Sequence, residues 1–183
     1  MFRVIILFIA SITFVKATHA QSRADTIKLK MKKLQSFIGI WEANTTFHLR
    51  DGKTNDEIGT YTISWALDST YQQWNLELEN ETSQKKRYLM MLVTYNTDSS
   101  RYEVNYFYNG SPTRIFETGT VTDRSEFLTS AFLPLSDGKQ IERIRTVTRM
   151  TSANTMEYEL FSRLGHEQAE RRDFEARLRK LSY

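Results

Sequence analysis

Apolar positions recur along this chain with two different periods, and the change between them falls at "FIGIWEAN", Phe37 to Asn44. Before it, Ile27, Met31, Leu34 and Ile38 stand four, three and four residues apart, the spacing of one face of a short helix. Asp25 or Thr26 is available to cap its first turn, and Gly39 ends it. After Gly39 the period is two: Trp41, Ala43, Thr45, Phe47 and Leu49 share one side of an extended strand, against Glu42, Asn44, Thr46 and His48.

The same alternation returns segment after segment. Tyr61, Ile63, Trp65 and Leu67 form one apolar set, and Trp74, Leu76 and Leu78 the next. "RYLMMLVTY" is apolar on both faces, and Tyr102, Val104, Tyr106 and Tyr108 follow it. "TRIFETGTV", "SEFLTSAFL", "KQIERIRTVTRM" and "NTMEYELFSRL" continue the series, separated by "TDRS", "SDGK" and "TSAN". Turn signals at this spacing, with only two prolines in the chain, predict an antiparallel meander of about ten strands. Residues 171–181 fit a strand through Phe174, Ala176 and Leu178, or a helix through Phe174, Leu178 and Leu181. A strand is preferred, because a meander of this length needs a last strand to cover the exposed edge of its first. The expected class is all-β, a closed barrel with a short N-terminal helix, since closure removes both edges.

The chain begins with Arg3, an apolar run from Val4 to Phe14, and small residues up to Ala20. That is the three-part pattern of a secretory leader, with cleavage after Ala20 or, as the rival, after Ala17. The expected organisation is a leader over 1–20, a helix and linker over 21–38, and one barrel domain over 39–183. Localisation outside the cytoplasm, periplasmic or secreted, follows as an expectation, with no lasting membrane anchor once the leader is removed. No cysteine is present, so neither a disulfide nor a lipid attached through cysteine contributes. The formal charge of +3 includes Arg3 and Lys16; without them 23 basic face 22 acidic residues, a net +1 that gives no general attraction to nucleic acid.

Gly39-Ile40-Trp41 after a helical turn, followed by a meander, resembles the lipocalin and fatty-acid-binding superfamily of calycin-type barrels. The resemblance implies that Gly39 lets the chain turn into the barrel, that Trp41 plugs its closed end, and that an arginine from the last strand, Arg177 or Arg179, packs across the indole. The chain is similar also to a group of exported bacterial barrel proteins of unassigned function. That group shares the Gly-x-Trp start, a Gly-x-Tyr second strand (Gly59 to Asp68), a hairpin from Tyr95 to Tyr102, and an arginine-bearing last strand.

Chemistry is sparse. Beyond the leader only His48 and His166 remain: His48 alternates away from the Trp41 face, and His166 falls in the turn "GHEQAE". No spacing suits zinc, no glycine-rich loop suits a phosphate, and no nucleophile elbow is present. No cofactor is expected, haem included, because His166 would have to reach into an open pocket. Aromatic and arginine residues are the distinctive content. The expected ligand-lining set is Tyr61, Trp65, Trp74, Tyr106, Arg143, Arg145, Tyr158 and Arg163. If Ile144, Thr146 and Thr148 face inward instead, the arginines of that strand point to solvent; alternation alone does not choose.

A binding protein for a small apolar or amphipathic molecule is therefore the expected class, with no feature that fixes an oligomeric state. The alternative is a barrel enzyme of decarboxylase, cyclase or isomerase type, using Tyr106, Arg145 and Glu117.

Overall fold

A computed structural model describes residues 22–109, 111–134, 141–165 and 169–181. The leader and His166 lie outside them. Residues 22–31 form α1, which tightens into a 3-10 turn over Lys32–Phe37. The helix starts before Asp25 and Thr26, so neither caps it; Thr26 instead donates its hydroxyl back to the carbonyl of Ser22 (2.9 Å). Ten strands follow: β1 (Gly39–His48), β2 (Thr54–Ala66), β3 (Tyr71–Asn80), β4 (Lys86–Asn96), β5 (Arg101–Tyr108), β6 (Ser111–Val121), β7 (Glu126–Pro134), β8 (Ile141–Ser152), β9 (Thr155–Leu164) and β10 (Arg171–Lys180).

Each strand pairs antiparallel with the next, and β10 closes onto β1 with Trp41 opposite Lys180 and Phe47 opposite Phe174. The result is the closed meander barrel that the strand pattern predicts, and residues 171–180 take the strand alternative. Closure gives every described strand a neighbour on both sides, so among the described residues no whole strand is left as an edge to recruit another chain. β6 and β7 share the shortest register, Thr118–Val121 against Phe127–Ser130, near one end only.

Gly39 adopts φ +147°, a conformation that strains any residue with a side chain, and a Cβ there would meet the Lys180 side chain. Gly59 answers a different need. A Cβ built on it would fall inside the backbone of Glu77 on β3, so the two strands approach this closely only because no side chain is present.

The helical segment seals one end. Met31, Leu34 and Phe37 are fully buried with Trp41, Trp74 and Ile63, and the Phe37 and Trp74 rings lie 5.6 Å apart. Barrel side chains reach the carbonyls that the end of the helix leaves unsatisfied. Trp41 Nε1 donates to Phe37 O (2.9 Å), Gln72 Nε2 to Leu34 O (2.9 Å), and the Tyr102 hydroxyl to Lys30 O (2.7 Å). Trp41 is thus the floor plug that the resemblance implies. Its cation is Lys180, whose Nζ lies 5.1 Å from the ring centroid, and not an arginine. Parity explains the correction: Phe174, Ala176, Leu178 and Lys180 share the inward face, which turns Arg177 and Arg179 outward, Arg179 onto Glu42 (2.7 Å).

Candidate functional site

The barrel is not filled to the end opposite the helix. Above the floor lies a cavity of about 280 Å³, bounded by residues of nine strands, β1 to β6 and β8 to β10. Its walls are apolar: Leu76, Leu78, Leu89, Met91, Ile115 and Leu160 alternate with the rings of Phe47, Tyr61, Tyr106, Tyr108, Tyr158 and Phe174. At about 30 Å³ per liquid water, the space corresponds to a ligand on the order of ten non-hydrogen atoms. It sits at the small end of the range of roughly 300–1,000 Å³ usual for such sites.

Two carboxyl groups stand in this wall, Asp173 and the more deeply buried Glu117. Glu117, 2% exposed, accepts a hydrogen bond from the Tyr106 hydroxyl at Oε2 (3.0 Å). The Thr129 hydroxyl donates to the same oxygen and lies against the Thr146 hydroxyl. Tyr158 completes the cluster beside Tyr106 and Thr146. Strand parity assembles it, since β5, β6, β7, β8 and β9 each contribute one inward residue at the same height. Burial raises the Glu117 carboxyl above its ordinary value, while the hydrogen bonds from Thr129, Tyr106 and Thr146 pull the other way. Burial likewise pushes the Tyr106 hydroxyl well up, helped by its neighbours Tyr158 and Glu117, and does the same to Tyr158. Tyr61 is fully buried, lines the cavity, and its hydroxyl has no hydrogen-bond partner.

Charges near the opening are already matched. Arg87 reaches Glu57 through two nitrogens (3.2 and 3.3 Å), with its guanidinium 4.6 Å from the Phe47 ring centroid. Asp173 pairs with Arg171 (2.6 Å). Arg87 is the one basic residue lining the cavity among the described residues.

Of the residues expected to line the cavity, Tyr61, Tyr106 and Tyr158 do so. Trp74 lies in the floor, donating to Gln72 Oε1 (3.0 Å), and the half-buried Trp65 donates to Gln35 Oε1 at its rim (3.1 Å). Arg143, Arg145 and Arg163 are not in the interior. Ile144, Thr146 and Thr148 are the buried face of β8, and one residue of offset sends the arginines outside. There Arg145 pairs with Glu170 (2.7 Å) and stacks over Phe161 (4.3 Å), while Arg143 stands opposite Arg163 across β8 and β9. Arg145 therefore does not join Tyr106 and Glu117.

Sequence reasoning passed over Arg87 and Glu57, although Glu57 shares the parity of Tyr61, and Arg87 that of Leu89 and Met91. His48 lies on the outer face against Glu175 (3.3 Å). Among the described residues no group of three metal-ligating side chains converges, and no helix is long and apolar enough to cross a membrane. A depression of about 740 Å³ lies on the outer face of β1–β3 beside Glu42, Glu77 and Glu79; it is solvated sheet surface rather than an enclosed site.

A closed antiparallel barrel, plugged at one end by a helix and a tryptophan and hollow at the other, is a lipocalin-like fold. The S-type phycobiliprotein lyase from Guillardia theta shares it, with a TM-score of 0.57 over 81% of this chain and 90% of that one, at 8% identity. The chain belongs to the family described as "Protein of unknown function (DUF1579)", whose profile matches residues 28–178. No curated protein sequence matches the chain.

Proposed function

We propose that the chain is a non-enzymatic binding protein that holds one small, largely apolar molecule in the upper barrel. The observation that carries this reading is the aromatic and aliphatic cavity itself, with a few buried polar groups at one height, the composition that small-molecule sites usually have. A packed β-barrel with no ligand to hold would gain stability by filling that space, since interiors otherwise reach crystal-like density. The likeness to a lyase of the same fold shows the architecture and leaves the ligand to the cavity's own chemistry. The leader pattern over residues 1–20 supports a place of work outside the cytoplasm, which N-terminal sequencing of the chain from its own host would test.

The test is an NMR titration with small apolar probes such as indole, phenol and toluene. Perturbations centred on Leu89, Met91, Tyr106 and Ile115 are expected. Perturbations on the outer faces alone, or none with any probe, would overturn the proposal.

A second reading, an enzyme of decarboxylase, cyclase or isomerase type, draws on the Tyr106–Glu117 hydrogen bond, which places a proton donor on a buried carboxyl. It lacks the arginine that would stabilise developing negative charge, because Arg145 faces outward and Arg87 is held by Glu57.

A further inference from the structure

The cavity contains one carboxyl group in excess. Arg87 is matched by Glu57 and Asp173 by Arg171, whereas Glu117 has only hydroxyl partners. A carboxylate taken out of water is stable when it is paired as well as hydrogen-bonded, and the protein supplies the hydrogen bonds without the pair. On the same cavity wall, with Tyr158 near both it and Glu117, the Tyr61 hydroxyl is also fully buried and has neither a donor nor an acceptor in contact. Such an orphan is destabilising unless something entering the cavity meets it.

The walls point the same way. Six aromatic rings, those of Phe47, Tyr61, Tyr106, Tyr108, Tyr158 and Phe174, border the space, and their faces carry the negative end of the ring quadrupole. A cation is attracted to such faces and to Glu117, while an anionic head group would meet Glu117 with no free cation to offset it.

We infer that the ligand is a small organic cation, a protonated amine on an apolar body, with its ammonium between Glu117 and the Tyr61 hydroxyl and its body against Leu76, Leu89, Met91 and Ile115. The ammonium then donates one N–H hydrogen bond to the Tyr61 hydroxyl oxygen and another to Glu117. The inference rests on the cavity reading above and narrows its substrate class.

The test compares benzylamine, benzyl alcohol and benzoate, three probes of one shape and three charge states, by calorimetry on the full chain at neutral pH. Benzylamine is expected to bind at least about tenfold more tightly than the alcohol, the ratio that one additional well-placed charge contact of about 1.4 kcal/mol gives. Benzoate is expected to bind weakest. Glu117→Gln should bring benzylamine's affinity down to about that of the alcohol. Tyr61→Phe, which deletes one oxygen, should lower benzylamine affinity severalfold, and it keeps the inference testable if the first variant does not fold. Equal or tighter binding of the alcohol or benzoate would overturn the amine and leave the cavity reading in place. Benzylamine binding unchanged in both variants would overturn it too, and no binding by any probe would remove both readings.

Discussion

The hydroxyl of Tyr106 on β5 donates to Oε2 of Glu117 on β6 at 3.0 Å, inside a barrel whose wall there is otherwise apolar. The two strands are neighbours, and both residues lie on their inward faces, so the contact follows from register alone. Thr129 and Thr146 extend it around the wall. A carboxyl group kept in this setting is a functional feature before it is a stabilising one, because an apolar side chain of its volume would pack there without the desolvation cost.

Stability should therefore depend on pH through Glu117. Its folded value lies above its ordinary 4.5, so the folded state holds the proton more tightly than the unfolded chain does. That contribution is fully present below the unfolded value and is lost as pH rises through the folded one. Denaturant unfolding of wild type against Glu117→Gln, from acid to neutral pH, should show the wild type losing stability relative to the variant across that window. A flat difference would contradict the assignment.

Tyr61→Phe should leave the empty protein as stable as wild type or raise it by about 1 kcal/mol, because a buried hydroxyl with no partner is removed and the ring is kept. For a domain of this size that is a shift of about 2–4 °C in Tm. A clear loss would show that the hydroxyl has a partner in solution.

At the floor, Trp41→Ala should cost about 3–5 kcal/mol, since the indole is fully buried and its N–H holds the carbonyl of Phe37. Lys180→Met, which keeps the stem and removes the charge over the indole, should cost under about 1 kcal/mol. Arg177→Ala and Arg179→Ala should change less than about 1 kcal/mol, since both side chains are exposed and Arg179 holds only a surface ion pair with Glu42. Chemical denaturation of the four variants ranks them, and a large effect at Arg177 would return the plug's cation to an arginine.

The seam between β6 and β7 should open first. Their register covers Thr118–Val121 and Phe127–Ser130, so the strands above it have less of the ladder to hold them. In native-state hydrogen exchange, amides of β6 and β7 above Thr118 and Ser130 should lose protection before those of β2, β3 and β9. Uniform protection around the barrel would contradict this.

Much of this was legible in the chain. Period-two alternation gave ten strands and closure, and it put Tyr61, Tyr106 and Tyr158 on inward faces because most apolar residues of their strands share one parity, with Ile58, Phe107 and Phe161 among the exceptions. β8 was read with both faces open, since Arg143, Arg145 and Arg149 alternate with Ile144, Thr146 and Thr148 and neither set is plainly apolar. Thr146 there and Thr129 on β7 serve Glu117, a role that only the three-dimensional neighbours reveal. Lys180 was hidden for a related reason: a last strand rich in arginine drew the plug's cation to Arg177 or Arg179, three residues or one residue early, whereas its register against Trp41 fixes the partner.

The central claim is that the upper barrel holds a small molecule. Native mass spectrometry of the protein purified from its own host, beside a Leu89→Trp variant that fills the cavity, tests it most directly. A small adduct released by organic extraction, present on the wild type and absent from a folded Leu89→Trp, is the predicted result. A wild type that carries no adduct and takes up none from host extract, or an adduct that Leu89→Trp retains, would contradict it.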